Sequence, residues 1–313
     1  MSAILQILIP TFNRAMALEK NLGHLKQEIG GLAHPDNVEI FISDNCSQDE
    51  TRQVVKDYDL ISQLRIKYHR QQKNIGLEAN VLWLLKNTES PYILWCGDDD
   101  FLSEGYLDFV LSSISDELVP PGLIIPGLSS LLENGILSPG RAKIDDPISI
   151  PSGFEAAWAY SHLAHQMSGL VMKREGLYEH YVDFEEYRNP YLFIHLATYE
   201  LLNRPAIYAP SFDTKVTVFN AKDWSYNEVG LLDEVFKSYY PFKSQLGEKQ
   251  LIELLIRFSI IHSYRYDIKP FKPGRLLNQF RQLNSSIPFK LEGFKSRLGV
   301  HLVKDYLLSW KPL

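Results

Sequence analysis

The sequence of 313 residues is poor in cysteine and contains no long apolar run. Cys46 and Cys96 stand far apart and belong to no CxxC or Cys/His cluster, so neither a disulfide framework nor a zinc site is predicted. The apolar run near the start has no basic region before it and is interrupted at Pro10, which argues against a signal peptide. No later stretch reaches the roughly 18 consecutive apolar residues of a membrane-spanning helix. These absences favour a protein of the reducing cytoplasm.

Charge is unevenly distributed along the chain. The net charge is -6, but residues from Lys237 onward carry 14 basic and 5 acidic side chains, whereas residues 1–236 carry 18 and 33. The acidic front part argues against nucleic acid as the main ligand. The basic tail is also rich in aromatic residues, a combination that allows peripheral contact with an anionic membrane surface. A helical cap with a solvated basic face, or a subunit interface, is the alternative.

Strand-like and helix-like stretches alternate over the first hundred residues. The predicted strands are 6–9, 38–42, 66–69 and 92–96, and the predicted helices are 17–29, 49–58 and 78–86. This alternation predicts an α/β fold with a mostly parallel sheet flanked by helices, whose ligands bind at the carboxyl ends of the strands. Three polar loops follow apolar runs there, and they are the candidates for a binding site.

The rest of the chain is less regular. Residues 120–151 are rich in Gly, Pro and Ser and are predicted to form loops and short strands. Helices are predicted at 154–165 and 190–202, strands at 168–173 and 206–209, and helices from about 228 to the end, separated by turns at 269–270 and 272–274.

Three consecutive aspartates, Asp98, Asp99 and Asp100, follow the apolar strand at 92–96. Adjacent carboxylates repel one another, and a divalent cation relieves that repulsion while offering open coordination positions to a phosphate. Mn²⁺ or Mg²⁺ is therefore the predicted cofactor, because either ion neutralises a diphosphate leaving group. The alternative is a solvated turn that caps the next helix.

Asp44 ends the second predicted strand and opens a run rich in Asn, Ser, Asp and Thr. Ser47, Asp49 or Thr51 could cap the following helix, which would leave Asp44 to accept hydrogen bonds from a base or a ribose. A capping loop without a ligand is the alternative interpretation.

Four motifs in order resemble those of the family 2 glycosyltransferases. The resemblance covers residues 4–112, extends more loosely to about 225, and is closest in its GDDDFL form to O-antigen (abequosyl) transferases. It implies a GT-A fold over residues 1–227, with a nucleotide-binding half (1–112), an acceptor half (113–227) and a helical basic extension (228–313). The motifs are Ile9-Pro10-Thr11-Phe12-Asn13-Arg14, Ser43-Asp44-Asn45-Cys46-Ser47-Gln48-Asp49-Glu50-Thr51, Asn74-Ile75-Gly76-Leu77-Glu78-Ala79-Asn80 and Gly97-Asp98-Asp99-Asp100-Phe101-Leu102.

The resemblance also implies roles for individual residues. Asp98 and Asp100 would be the acids of the DxD motif, with Asp100 on the metal ion and Asp98 on the metal ion, the ribose or the phosphate. Asp44 would read the base. The other residues expected to line the nucleotide pocket are Pro10, Thr11, Asn13, Arg14, Lys73, Asn74, Gly76 and Asp99.

Inverting transfer also needs a general base that takes the proton of the acceptor hydroxyl. By the same resemblance, an acidic pair before a helix of the second half would supply it, and the nearest match is Glu186, followed by Glu185 and Asp183. The pair is Glu-Glu here rather than Glu-Asp, and an exposed charged turn is the alternative. His195 lies in an apolar helix and is interpreted as a packing residue rather than a base.

The resemblance implies an inverting glycosyltransferase of bacterial surface polysaccharide assembly, cytoplasmic or peripheral on the inner face of the membrane. The implied donor is a nucleotide-diphosphate sugar, UDP before CDP or dTDP, and the implied acceptor is a saccharide or lipid-linked saccharide. Two alternatives stay open. One is a non-catalytic nucleotide-sugar-binding domain. The other is a sugar-1-phosphate nucleotidyltransferase, which would require a Gly-rich loop that the start of the chain lacks.

Overall fold

A computed structural model of the chain describes residues 3–61, 64–116, 119–141, 143, 145–218, 234–262 and 291–300. The strands are β1 (Leu5–Thr11), β2 (Val38–Asp44), β3 (Ile66–Arg70), β4 (Tyr92–Trp95), β5 (Leu123–Leu131), β6 (Leu137–Pro139), β7 (Ile148–Ile150), β8 (Val171–Lys173) and β9 (Ala206–Thr217). The helices are α1 (Ala15–Gly30), α2 (Thr51–Ile61), α3 (Leu77–Asn87), α4 (Tyr106–Asp116), α5 (Phe154–Tyr160), α6 (Leu177–Val182), α7 (Leu192–Asn203) and α8 (Lys243–Ile261).

All nine strands form one mixed sheet in the order β3-β2-β1-β4-β8-β5-β9-β7, with β6 paired to β5. The first four strands are parallel, and β1 lies between β2 and β4. Every residue of β1 is buried, which is the pattern of a parallel strand covered by helices on both faces. Antiparallel pairs join β4 to β8, β8 to β5 and β7 to β9, whereas β5 and β9 run parallel.

Helices cover the two faces of the sheet and form two apolar clusters. On one face, α1 buries the side chains of Leu18, Leu22, Leu25 and Ile29, which recur at helical spacing. On the other face, α7 is buried nearly all round and packs with α5 and the 3₁₀ turn Ser161–His165. Helix α8 continues this cluster by packing against α5. No helix among the described residues has the length and apolarity needed to span a membrane.

The predicted α/β fold is confirmed, and each predicted element of the first hundred residues lies within three residues of its observed bounds. The sheet is mixed rather than mostly parallel, because its second half adds the antiparallel strands. The expectation of only short strands in 120–151 was wrong, since β5 spans nine residues. Pro126 and Gly127 lie within β5, and such residues normally argue against a strand. A register shift between β5 and β9 at that point accommodates both residues.

The second half departs from the sequence prediction in two further respects. Strand β9 continues to Thr217, well past the predicted end at 209. The segment predicted as one helix over 154–165 is α5 followed by a 3₁₀ turn. In the tail, residues 234–237 and 294–300 and helix α8 are helical. The domain boundary at 227–228 and the turns at 269–270 and 272–274 lie outside the described residues, so the proposed division into domains stays a prediction.

Candidate active site

The candidate site lies at the carboxyl ends of β1, β2 and β4. The chain moves outward from β1 to β2 and β3, then returns to place β4 on the other side of β1. Such a reversal of strand order opens a crevice at the carboxyl end of the sheet, where ligands of open α/β sheets bind. Thr11 at the end of β1 is paired with Asp44 at the end of β2. The aspartates follow β4 directly, beside the end of β1.

A cleft of about 620 Å³ occupies this crevice. Its volume is in the range of small-molecule binding sites. It is lined by the loop after β1, the aspartates, the segment before α3, residues 165–167 and the start of α7. The lining residues are Pro10, Thr11, Phe12, Asn13, Arg14, Asn45, Asn74, Gly76, Leu77, Asn80, Gly97, Asp98, Asp99, Asp100, His165, Gln166, Met167, Pro190, Tyr191 and Phe193.

Asp98 is buried, and its Oδ2 atom accepts a hydrogen bond of 2.8 Å from the hydroxyl of Thr11. Burial, with the charge of Asp99 added to it, raises the pKa of Asp98 to about 7, although Thr11 and Arg14 oppose the shift. A carboxyl group with so high a pKa is poorly compensated by its protein surroundings. Asp98 therefore favours a cation in the cleft.

Asp99 forms an ion pair with Arg14, whose Nη1 atom lies 2.9 Å from Oδ2. Both residues line the cleft and also a second cavity of about 790 Å³ on the far side of the pair. This second cavity lies against the first turns of α1 and α2. The ion pair therefore stands between the two cavities.

Asp100 is fixed by residues from the second half of the chain. Its Oδ2 atom accepts a 2.5 Å hydrogen bond from the hydroxyl of Ser168, and its Oδ1 atom accepts a 3.0 Å hydrogen bond from the backbone N–H of Thr217. The same Ser168 oxygen accepts a hydrogen bond of 2.9 Å from the N–H of Gly97. A Cβ atom at Gly97 would lie 2.7 Å from the Asp100 carboxylate, so only glycine permits this close turn.

Asp44 is completely buried and lies behind the cleft rather than in its lining. Its Oδ1 atom accepts a hydrogen bond from the N–H of Ser47, and its Oδ2 atom accepts one of 2.7 Å from the hydroxyl of Tyr68. Arg70 lies 3.6 Å from the same oxygen. The role of Asp44 in reading the base stays a prediction.

The neighbouring Asn45 lines the cleft and ties two loops together. Its side chain donates to Oδ1 of Asn74 at 2.9 Å and accepts from the N–H of Ile75 at 2.8 Å. Asn74 and Gly76 line the cleft, whereas Lys73 is exposed and outside the lining, and the roles of all three in nucleotide binding stay predictions.

The three candidates for the general base are exposed and do not line the cleft. Glu185 and Glu186 lie in a 3₁₀ turn that ends at Tyr187, shortly before the cleft residues Pro190 and Tyr191. His195 is buried, and its Nε2 atom lies 2.9 Å from Nδ1 of His180, in accord with a packing role.

Several residues at or behind the cleft were missed by sequence reasoning. Ser168 and Thr217 hold Asp100 but belong to no motif, and His165 lines the cleft. No local sequence signal marks these residues, because only the pairing of β4 with β8 and the bridge between Phe101 and Lys215 bring them to the site.

The acidic residues fit a divalent metal that is shared with a ligand. Within the described part of the chain, no three His, Cys, Asp or Glu side chains converge on one point. Mg²⁺ and Mn²⁺ need only one or two carboxylates when substrate phosphates complete the coordination shell. Asp98 and Asp100 match that requirement, since each carboxylate oxygen has a second lone pair.

The first third of the chain is similar to an enzyme family. Residues 6–119 match the family model described as glycosyl transferase family 2. Validoxylamine A glucosyltransferase of Streptomyces hygroscopicus subsp. jinggangensis is 41% identical over 69 residues, which cover 22% of this chain and 15% of that enzyme. The GalNAc(5)-diNAcBac-PP-undecaprenol beta-1,3-glucosyltransferase of Campylobacter jejuni is 28% identical over 113 residues, which cover 36% of this chain and 35% of that protein. The chain thus matches well under half the length of these relatives.

Similarity to solved structures extends over nearly the whole chain. The crystal structure of residues 1–349 of S. aureus TarS superposes with a TM-score of 0.65 at 16% identity, over 97% of this chain and 88% of that one. The mannosyltransferase PcManGT of Pyrobaculum calidifontis, solved with GDP-Man and Mn²⁺, gives a TM-score of 0.52 at 13% identity over 99% and 89%. At these identities the likeness establishes the fold. The chain therefore has the GT-A fold, and its residues 6–119 are similar to glycosyl transferase family 2.

Proposed function

We propose that this protein is a metal-dependent, inverting glycosyltransferase that moves a sugar from a nucleotide-diphosphate donor to the hydroxyl of a saccharide or lipid-linked saccharide. The observation that carries the proposal is the row of buried aspartates at the floor of the cleft, within the segment that matches the family. Buried, adjacent carboxylates are costly for a fold unless a cation or ligand compensates them.

The residues of the cleft suit a nucleotide diphosphate. Asp98 and Asp100 would hold Mn²⁺ or Mg²⁺, and the bound ion would neutralise the charge of the departing diphosphate. Arg14 stands beside the aspartates and would contact a phosphate oxygen, while its ion pair with Asp99 orients the guanidinium. Pro10, Asn74 and Gly76 would enclose the nucleoside, with Asp44 supporting the loop that carries Asn45.

UDP is the first candidate for the nucleotide, with CDP and dTDP as alternatives. A structure of TarS similar to this chain was solved with UDP-GlcNAc and another with UDP. The Campylobacter relative is named for an undecaprenol-linked saccharide, which supports a lipid-linked acceptor and a role in surface polysaccharide assembly. We place the enzyme in the cytoplasm, with the basic tail in contact with the inner face of the membrane.

Chemistry requires removal of the acceptor proton as its oxygen attacks the anomeric carbon. Glu186 is our first candidate for the base, followed by Glu185 and Asp183. Their turn lies just before the residues at the rim of the cleft, so an acceptor bound there would lie near them. His165 is a further candidate for the base, because this residue lines the cleft itself.

Calorimetric titration with UDP, CDP, GDP and dTDP, with and without Mn²⁺, tests the proposal. We expect metal-dependent binding of one nucleotide, with a loss of at least tenfold in affinity for Asp98→Asn and Asp100→Ala. Asp108→Ala is the matched control, because Asp108 is an exposed aspartate on α4 that does not line the cleft. The absence of nucleotide binding under every metal condition would refute the function.

Binding alone leaves the non-catalytic alternative standing, so consumption of the donor must be measured as well. Slow hydrolysis of the nucleotide sugar, followed by release of the nucleotide, reports turnover without a known acceptor. We expect hydrolysis to fall strongly in Glu186→Gln and to survive in Glu179→Gln, an exposed acid on α6. A donor that binds but is never consumed would identify a binding domain.

A further inference from the structure

A cluster of basic side chains lies beside the cleft and takes no part in the site described above. The basic cluster consists of Arg141, His162 and Arg257, which approach one another around the 3₁₀ turn Ser161–His165. The Arg141 guanidinium donates from Nη1 to the carbonyl of Leu163 at 2.6 Å and from Nε to that of Pro126 at 3.2 Å. Arg257 reaches the same place from α8.

Both arginines of the basic cluster have a buried nitrogen that lacks a hydrogen-bond partner. These atoms are Nη2 of Arg141 and Nε of Arg257. The Cζ atom of Arg257 lies 4.3 Å from the centroid of the Trp158 ring. This stacking contact does not use the N–H groups of the guanidinium, which can still donate to an acceptor in their plane. Among the described residues, no carboxylate forms an ion pair with either arginine.

The electrostatics of the basic cluster agree with an excess of positive charge. Burial, followed by the charges of Arg257 and Arg141, lowers the pKa of His162 to about 4. His162 is only 7% exposed, so water compensates little of this field. Unpaired guanidinium groups are costly when buried, because they lose hydration without gaining a counter-charge. The basic cluster therefore favours an anion.

The basic cluster is connected to the acceptor side of the cleft. His262 packs against His162 with ring centroids 5.5 Å apart, and against His165 with centroids 4.4 Å apart. His165 and the two residues after it line the cleft. The basic cluster is thus one layer of side chains away from the lining of the cleft.

We propose that Arg141, His162 and Arg257 bind a phosphate or pyrophosphate group carried by the acceptor. Guanidinium groups match phosphate oxygens in geometry and remain charged when buried, and a neutral sugar would not compensate two of them. The assignment to an acceptor rests on the proposed function, whereas the binding of the anion does not. The acceptor would thus be held by its phosphate at one point and present its hydroxyl to the cleft.

Thermal unfolding in EDTA with inorganic pyrophosphate tests the anion site without the metal-dependent donor site. We expect the melting temperature to rise by about 1–2 °C when pyrophosphate exceeds its Kd about fivefold, because the entropy of unfolding of a chain of this size is large. Arg257→Gln and His162→Asn should each remove most of the rise. Arg65→Gln, which alters a half-exposed arginine paired with Glu39, is the matched control and should keep it.

Two further variants distinguish the basic cluster from the donor site and from an internal ion pair. Asp98→Asn should retain the pyrophosphate response, and its loss there would move the anion to the donor site and overturn the proposal. Asp267 is the single acid in residues 263–290. The proposal fails if two results occur together. Asp267→Asn would lower the melting temperature as much as Arg257→Gln does, and pyrophosphate would not change the melting temperature of the unaltered protein. Arg257 would then have an internal acidic partner.

The source of the phosphate is decided with farnesyl pyrophosphate, a lipid-borne pyrophosphate. Equal or tighter binding than inorganic pyrophosphate, lost in Arg257→Gln, would support an acceptor group. Binding of inorganic pyrophosphate alone would overturn the assignment to the acceptor. The same variants are titrated with UDP and Mn²⁺ in parallel. Failure of that binding in the unaltered protein refutes the proposed function and leaves the pyrophosphate result interpretable.

Discussion

Removal of one hydroxyl group, in Ser168→Ala, tests how the aspartate loop is held. Ser168 is 1% exposed, and its oxygen both accepts from the N–H of Gly97 and donates to the carboxylate of Asp100. A hydrogen bond to a charged group contributes about 1.5–3 kcal/mol and a neutral one about 0.5–1.5 kcal/mol. We therefore expect the free energy of unfolding to fall by about 2–4 kcal/mol.

Ser161→Ala is the matched control for this prediction. Ser161 is also 1% exposed, but its hydroxyl forms a single neutral hydrogen bond of 3.2 Å with the hydroxyl of Tyr239. The expected loss is about 0.5–1.5 kcal/mol. Urea unfolding followed by circular dichroism measures both variants under the same conditions.

The two variants should also differ in binding. Ser168→Ala releases the Asp100 carboxylate from one of its supports, so we expect Mn²⁺-dependent nucleotide binding to weaken about tenfold. Ser161→Ala should leave that affinity unchanged. Equal losses of stability in the two variants, or unaltered binding by Ser168→Ala, would show that Ser168 does not position the aspartate loop.

Two further predictions concern stability away from the cleft. Burial raises the pKa of Glu200 to about 8 despite its ion pair with Arg204, so folding favours the protonated form. The free energy of unfolding should therefore fall as the pH rises from about 4.5 through 8. Urea unfolding at a series of pH values should show a flatter pH dependence for Glu200→Gln. A steeper slope in the variant would contradict the assignment. Gly169→Ala should destabilise the protein by more than Gly105→Ala, because both glycines have positive φ but only at Gly169 would a Cβ collide, at 2.3 Å from Thr214 Oγ1. Similar melting temperatures for the two alanine variants would refute this contact.

The first hundred residues were predictable because their structure is encoded locally. Apolar runs of four to seven residues form buried parallel strands, and the intervening helices carry their apolar side chains at helical spacing. The polar motifs follow the strands, so the sheet alone brings Thr11 and Asp98 within hydrogen-bonding distance. Local pattern and tertiary arrangement agree in this half.

The second half was less predictable because its strands depend on distant partners. Strand β8 has three residues and is fixed between β4 and β5, which no local pattern reveals. The contacts of Asp100 with Ser168 and Thr217 join positions far apart in the chain. The positions of the candidate bases were unpredictable for the same reason. An acidic pair before a helix does not determine whether its side chains face the cleft. Glu185 and Glu186 are exposed there.

The anchoring of Asp100 by Ser168 and Thr217 means that the first four strands and their loops are not a separable module. A fragment ending near residue 112 would keep its four parallel strands but lose both groups that hold the carboxylate. If the cleft binds the proposed donor, selection on that binding acts also on β9 and on the turn before β8, neither of which belongs to a recognised motif. Under the same proposal, exchange of the second half between relatives would alter the donor site, so new acceptor specificities should arise more readily by substitution within the second half than by its replacement.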